Sequence, residues 1–371
     1  MCPFLLQPTV FPLILDQFAF KPSGSTTASL INLFDTVTKS LVSQPFVHVI
    51  CLDFSKAFDT IRHSSVTSTL ANLGLPDQPY NFIRETLMDR KHTTRFRDVE
   101  SESRPINSSV IQGSPLGPIN FILNMCTLSP KYNNVNKLSK YADDTYLIVP
   151  ANSSHTRTEE IEHIESWASN SNLRLNRAKS KEIVFTRARY DRSLLPAPLP
   201  GIERIENFSP LGVSFSNNFS VTIHVEKIIA KGNQILYGVK ILKSHGLRGP
   251  ELHRVTHTLL NGTLMYASPA WWGFASNSEL EKINSLLKKA FRWGFLSQPL
   301  PNFELACKLQ DKKLFENIIS NPLHCLHHLL PPIKTTGHNL RNRGHNRVLT
   351  SNHTTLTKKT FLPRMLFQDT Y

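Results

Sequence analysis

The sequence predicts an α+β fold in two parts: a sheet with helices up to about residue 215, then a helical part. Short apolar runs at residues 46–52, 146–149 and 183–185 alternate with helix-spaced apolar series in the first part. From about Phe208 onward the texture changes, and close to a hundred residues carry helical periodicity. A third observation fixes a hairpin. Asp143 and Asp144 stand side by side between Lys137-Leu138-Ser139-Lys140 and Tyr146-Leu147-Ile148-Val149. Aspartate is disfavoured within strands and at home in tight turns, so the pair marks the tip between two strands.

Composition bounds what the chain can be. With 371 residues, 40% apolar and 19% charged, it has enough apolar surface for a sizeable core. Lys plus Arg number 42 against 28 Asp plus Glu, giving +14 and a pI near 9.6. That balance calls for a polyanionic partner, either nucleic acid or an acidic membrane surface. Five cysteines without a Cys-x-x-Cys pair argue against a disulfide framework or a zinc site, and for a reducing compartment. The first fifteen residues carry Pro3, Pro8 and Pro12 and no basic residue, which makes a poor signal peptide. No window reaches membrane-spanning length. The expectation is an intracellular protein, not secreted, with no membrane partner.

Taken in order, the elements follow from pattern and punctuation. After Lys21-Pro22-Ser23-Gly24, Ser25 can cap a helix with Leu30, Leu33, Phe34, Val37 and Leu41 on one face. Residues 46–52 form a continuous apolar run, the mark of a strand buried on both faces, and it ends abruptly at Asp53. One helix carrying Phe58, Ile61, Val66, Leu70 and Leu73 should follow, stopped by Gly74 with Pro76 beyond. Residues 92–110 alternate loosely around Arg95, Arg97 and Arg104. The stretch Ile111 to Pro118 is a Gly/Pro-dense loop without the lysine of a phosphate-cradling loop. Beyond the hairpin, Thr156-Arg157-Thr158-Glu159 has the spacing of a capping box for a helix with Ile161, Ile164 and Trp167. Leu211 to Phe215 reads as a short strand pair. Three helices then follow, through Val225 to Leu242, Leu252 to Leu260 and Leu280 to Phe291. Residues 331–371 hold seven Lys/Arg against one acid and are expected to be a flexible basic tail.

Asp53 lies 90 residues before Asp143, yet the two meet if their strands pair in one antiparallel sheet. Alone, an Asp-Asp pair is more often a solvated turn. Three converging carboxylates raise each other's pKa, and two divalent cations relieve that repulsion.

The strings QFAFKPSGSTT, LDFSKAFDT, QGSPLGP, YADDT, LRLNRAKS and SPLGVSF, in this order and spacing, resemble the successive motifs of reverse transcriptases of non-LTR (LINE-type) retrotransposons. The resemblance runs from about Gln17 to Phe215. It implies a right-hand polymerase: partial fingers and a palm, an antiparallel sheet with helices, over residues 1–215; a helical thumb over 216–300; and a basic extension over 301–371, partly flexible. It implies RNA-directed DNA polymerisation, with an RNA template, a DNA primer and deoxynucleoside triphosphates as partners. Two Mg²⁺ ions, replaceable by Mn²⁺, would be held by Asp53, Asp143 and Asp144. Phe58 is similar to the residue packed under the incoming sugar, and a core aromatic is the competing reading. Gln112 and Gly113 resemble the loop near the templating base pair, or are an ordinary tight turn. Lys179 looks like the family's lysine near the triphosphate, or is a solvated lysine. Lys21 stands where many relatives carry an arginine, keeping charge but losing the bidentate fork. Only sixteen residues precede Gln17, so shortened fingers are expected. The alternative is accordingly a catalytically impaired remnant that only binds nucleic acid. The expected place is nucleus or cytoplasm, the nucleus being suggested by the family's way of priming at its target.

Overall fold

The helical and strand periodicities can be followed directly in a computed structural model, which describes residues 10–111, 113–334, 345–349 and 354–368. The apolar series beginning at Ala28 forms α1 (Thr26–Ser43), and the run after it forms β1 (Phe46–Leu52). Next come α2 (Ala57–Thr60), α3 (His63–Asn72) and α4 (Asp77–Leu87). Four two-residue strands follow: β2 (Lys91–His92), β3 (Arg95–Phe96), β4 (Val99–Glu100) and β5 (Arg104–Pro105). The Gly/Pro loop opens into α5 (Leu116–Met125), then β6 (Lys137–Tyr141), β7 (Asp144–Pro150), α6 (Arg157–Asn170), β8 (Lys181–Thr186) and β9 (Glu203–Ile205). The remainder comprises β10 (Asn207–Phe208), β11 (Phe215–Ser216), α7 (Thr222–Ser244), α8 (Gly249–Leu264), α9 (Ser268–Trp271), α10 (Asn277–Arg292), α11 (Phe303–Ser320) and α12 (Phe361–Phe367). No helix among the described residues is long and apolar enough to cross a membrane.

The chain divides into two compact units. The first holds residues 1–25, 46–184 and 191–205. Its sheet has the strand order β6-β7-β1-β8-β9. β1 pairs antiparallel with β7, and β7 with β6, whereas β8 and β9 run parallel, so the sheet is mixed at one edge. One face packs Ile50, Leu52, Leu138, Leu147 and Val149 into a core with Ile61, Leu70, Phe121, Ile122, Ile161 and Ile164 from the helices. His48 and Glu182 point into a buried charged knot. Glu182 accepts from Arg157 at 2.7 Å, from Arg204 at 2.7 Å and from His48 Nδ1 at 2.9 Å. Burial alone would raise the Glu182 pKa, but the hydrogen bonds from His48 and Arg204 and their charges hold it at about 2.

The second unit holds residues 26–45, 185–190 and 206–371. Here Phe34 of α1 sits 4.0 Å from the Phe215 ring and 6.3 Å from those of Phe185, Phe219 and Phe274. The three expected long helices are α7, α8 and α10. Trp271 is fully buried and Trp272 donates to Asp311 at 2.8 Å, which places both tryptophans in packing roles.

Several local expectations are corrected. The helix expected after Ser55 breaks at Ile61, where ψ turns to 130° and the chain bonds residues 107–110 instead; Ser109 donates to the Ile61 carbonyl at 2.9 Å. Thr156 does not close a capping box, because its hydroxyl is spent on the Ser153 carbonyl at 2.8 Å in a preceding turn of 3₁₀ helix. Leu211 lies in a 3₁₀ turn at φ +47°, and the strand pair is Asn207–Phe208 with Phe215–Ser216. Part of the basic tail is ordered: α12 buries Phe361, Leu362, Met365 and Leu366, and Arg364 pairs with Asp311 at 2.8 Å. That segment has an apolar face, which charge counting over 331–371 conceals.

Candidate active site

The two acids sit where a two-residue loop joins β6 to β7. Tyr141 pairs with Asp144, leaving Ala142 and Asp143 as the turn. Ala142 takes φ +56°, a left-handed conformation that costs an L-residue roughly 1–2 kcal/mol. The compensation comes from Gln17, which is 1% exposed. Its Oε1 accepts from the Ala142 amide at 2.9 Å, from Phe18 N at 3.1 Å and from Ala19 N at 2.9 Å. Its Nε2 donates to the Ala142 carbonyl at 3.3 Å. One side chain therefore grips the turn peptide from both sides. Lys140, also buried, adds to the anchorage by donating to the Met125 and Leu128 carbonyls at 3.0 and 2.6 Å and pairing with Asp16 at 2.9 Å. Sequence reasoning gives Gln17 no role beyond heading a motif. The available signal is an amide side chain placed before the apolar run Phe18-Ala19-Phe20.

Asp53 reaches the same patch from β1. The β1/β7 register pairs Leu52 with Thr145, so its next step sets Asp53 opposite Asp144. The Asp53 amide donates to Ser180 Oγ at 3.1 Å and its carbonyl accepts from Asn176 at 2.8 Å, which ties the strand end to the 176–180 loop. Asp53 and Asp143 are half-buried and Asp144 is exposed at its surface. The surrounding protein still strips enough water from Asp144 that desolvation leads its shift to about 6, with the Asp143 and Asp53 charges adding to it. Asp143 shifts upward too, by desolvation first and then the Asp53 charge, against a backbone hydrogen bond that lowers it. Burial chiefly, then Asp144 and Asp53, push the Cys51 thiol up to about 12. Among the described residues no lysine or arginine pairs with any of the three acids.

Hard carboxylate oxygens without a cationic partner are suitable ligands for Mg²⁺. Among the described residues no three His, Cys, Asp or Glu side chains close into a ready-made cage for an ion. Mg²⁺ does not require one, because it is commonly held by one or two carboxylates with water and substrate phosphates completing its shell. The donor set fits the ion on that basis.

The other expected site residues are placed unevenly. Phe58 is half-buried and stacks on the core residue Phe121, with centroids 4.2 Å apart and planes at 17°. Gly113 is exposed at φ +80° with nothing within 4 Å of where a Cβ would stand, so backbone conformation rather than crowding calls for glycine there. Gln112 lies outside the described residues. Lys179 is exposed at the end of a turn in which its amide bonds Asn176 Oδ1 at 3.2 Å. Lys21 is buried, its ammonium donating to the Ile14 carbonyl at 2.7 Å and lying 5.2 Å from the Phe18 ring centre. Beside Asp53, a groove of about 820 Å³ is lined by Ser55, Glu165, Ser169, Arg174, Asn176 and Arg177 among others.

Known proteins are similar to this chain. It is 23% identical over 297 residues to the probable RNA-directed DNA polymerase from transposon X-element of Drosophila melanogaster, covering 74% of this chain and 31% of that protein. It is 25% identical over 296 residues to the RNA-directed DNA polymerase from mobile element jockey of the same organism, again covering 74% and 31%. The chain thus spans about a third of the length of the curated relatives it matches. Among solved structures, apo telomerase from Candida tropicalis matches at TM-score 0.48 and 10% identity, over 88% of this chain and 55% of that one. Residues 6–215, more than half of the chain and including all three acids, match the profile described as reverse transcriptase (RNA-dependent DNA polymerase), and the chain belongs to that family.

Proposed function

We propose that the chain adds deoxynucleotides to a primer 3′-end on an RNA template, with Asp53, Asp143 and Asp144 holding two Mg²⁺ ions. The observation that carries this is the set of three acids at adjoining strand ends, charge-coupled and, among the described residues, in no ion pair with a lysine or arginine, in a chain of net charge +14. When bound, the ions supply a more acidic 3′-hydroxyl and neutralise charge on the triphosphate and its leaving group. Asp53 and Asp144 would hold the ions from adjacent strands, and Asp143 from the turn that Gln17 grips. Residues 1–215 would serve as partial fingers and palm and residues 216–300, with helices α7 to α10, as the thumb, with the basic surface holding template and primer through phosphates. Lys179 lies in the 176–180 loop that the Asp53 carbonyl anchors, and Arg174 lines the groove beside it; we assign these two cations to the triphosphate end, while Arg177 is held by Glu165 at 2.6 Å.

Extension of an oligo-dT primer on poly-rA with Mg²⁺ tests the reading. Asp143→Asn should abolish extension while leaving RNA affinity in place and without lowering the melting temperature. Robust extension by that variant would overturn the metal assignment. Salt-sensitive RNA binding without extension by the natural sequence would replace polymerisation with binding alone.

A further inference from the structure

The small strands β2 to β5 build a projecting double hairpin that the polymerisation reading does not use. Lys91 pairs with Pro105 and His92 with Arg104 at its base; Arg95 pairs with Glu100 and Phe96 with Val99 near its tip. Phe96 and Val99 are each 72% exposed, more than any other large apolar side chain among the described residues. The Arg97 guanidinium stands 5.4 Å from the Phe96 ring centre. Arg90, Lys91, Arg95, Arg97 and Arg104 put five cations on this segment against Asp98, Glu100 and Glu102. None of the five is in an ion pair among the described residues. At the foot of the hairpin the Arg90 Nη1 atom is buried and has no hydrogen-bond partner, a donor left without an acceptor.

We propose that this hairpin binds single-stranded nucleic acid, with a base stacked on Phe96 and phosphates received by the arginines around it. An exposed aromatic ring interleaved with unpaired cations is the arrangement by which single strands are held without sequence preference. A protein partner is disfavoured by size: one aromatic and one valine fall far short of the roughly 800 Å² that each side of a stable protein interface buries. They are enough to cover one base. The proposal rests on the nucleic-acid reading above for the class of its ligand, and it places a second binding point away from the acids.

The test is fluorescence anisotropy of the full chain with labelled oligo-rA at several salt concentrations. Phe96→Ala should weaken binding roughly 5- to 150-fold, the range produced by loss of one base–aromatic stack, while Phe96→Trp retains it. The double change Arg95→Gln, Arg97→Gln should reduce the slope of log affinity on log salt by about 1.4, or 0.7 for each phosphate no longer neutralised. Phe96 is a surface residue, so the variants' melting curves should overlay that of the natural sequence. Unchanged affinity and slope in both variants would overturn the proposal, as would failure of the natural sequence to bind oligo-rA. Retained RNA affinity with lost binding of a protein partner would reassign the hairpin. Asp143→Asn separates the two readings, since it should lose extension and keep oligo-rA affinity.

Discussion

Replacing Gln17 by methionine keeps the side chain's length and removes its hydrogen bonds. The Phe18 amide would keep a partner, since it also bonds the Lys140 carbonyl at 2.8 Å. The Ala19 amide and the Ala142 amide and carbonyl would each lose theirs. At roughly 1 kcal/mol for each group left unsatisfied in a buried setting, the hairpin end loses about 3 kcal/mol. The left-handed Ala142 then has less to hold it. Native-state hydrogen exchange reads this locally, where a whole-chain melt of two units does not. Protection of the β6 and β7 amides should fall roughly 100-fold, the equivalent of about 3 kcal/mol, with protection in α7 and α10 unchanged. Primer extension should drop in parallel. Adding Ala142→Gly, which removes the left-handed cost of roughly 1 kcal/mol, should recover part of the protection. Unaltered exchange in the β6/β7 hairpin of Gln17→Met would refute the clamp.

Two further predictions concern charge. The Asp144 pKa of about 6 lies above its ordinary 3.8, so the folded state keeps a proton that the unfolded chain has released between those values. Stability therefore falls as pH rises from about 4 to 6 and stays lower above. Asp144→Asn should flatten that slope and raise the melting temperature at pH 7 in EDTA, while Mg²⁺ raises only that of the natural sequence; equal pH slopes would count against the coupling. Glu182 behaves oppositely, with a folded value of about 2 against 4.5, so its contribution is present above about 4.5 and is lost as pH falls toward 2. Glu182→Gln should remove that acid sensitivity and cost about 3–5 kcal/mol by leaving Arg157 and Arg204 without their buried partner, measured by urea unfolding.

The strand β1, the hairpin and the three long helices were legible because each carries a strong period of its own. The strand ends left the meeting of the acids conditional on a pairing, and the β1/β7 register supplies it. Contacts between distant segments were not legible. The apolar face of α1 announces burial but not the phenylalanine cluster it joins, and nothing in Gln17 announces Ala142. The capping pattern shows the limit most plainly. Ser276 and Glu279 form a true capping box at α10, with Ser276 N donating to Glu279 at 2.7 Å. Thr156 and Glu159 match the same pattern, yet Thr156 bonds backward and Glu159 takes Lys131 at 2.6 Å instead. Pattern proposes the bond; the preceding turn decides whether the hydroxyl is free to make it. Lys21 shows that a charge inferred to face a substrate can be satisfied by a carbonyl seven residues away.

The division of the chain into units has a consequence for how it is made and cut. Residues 26–45 leave the ribosome well before residues 206–371, with which they form one unit. Closing that unit joins segments separated by about 160 residues, a long loop whose entropy must be met before its contacts form. Until then α1 lacks part of its final cover, since Phe34 has Phe185 and Phe215 before it has Phe219 and Phe274. A fragment ending at residue 215, where the family match stops, would keep Phe185 and Phe215 against Phe34 but lose Phe219 and Phe274, leaving the apolar face of α1 partly bare. Expression of residues 1–215 alone is therefore a poor route to soluble protein, and a workable fragment would also omit or mask α1.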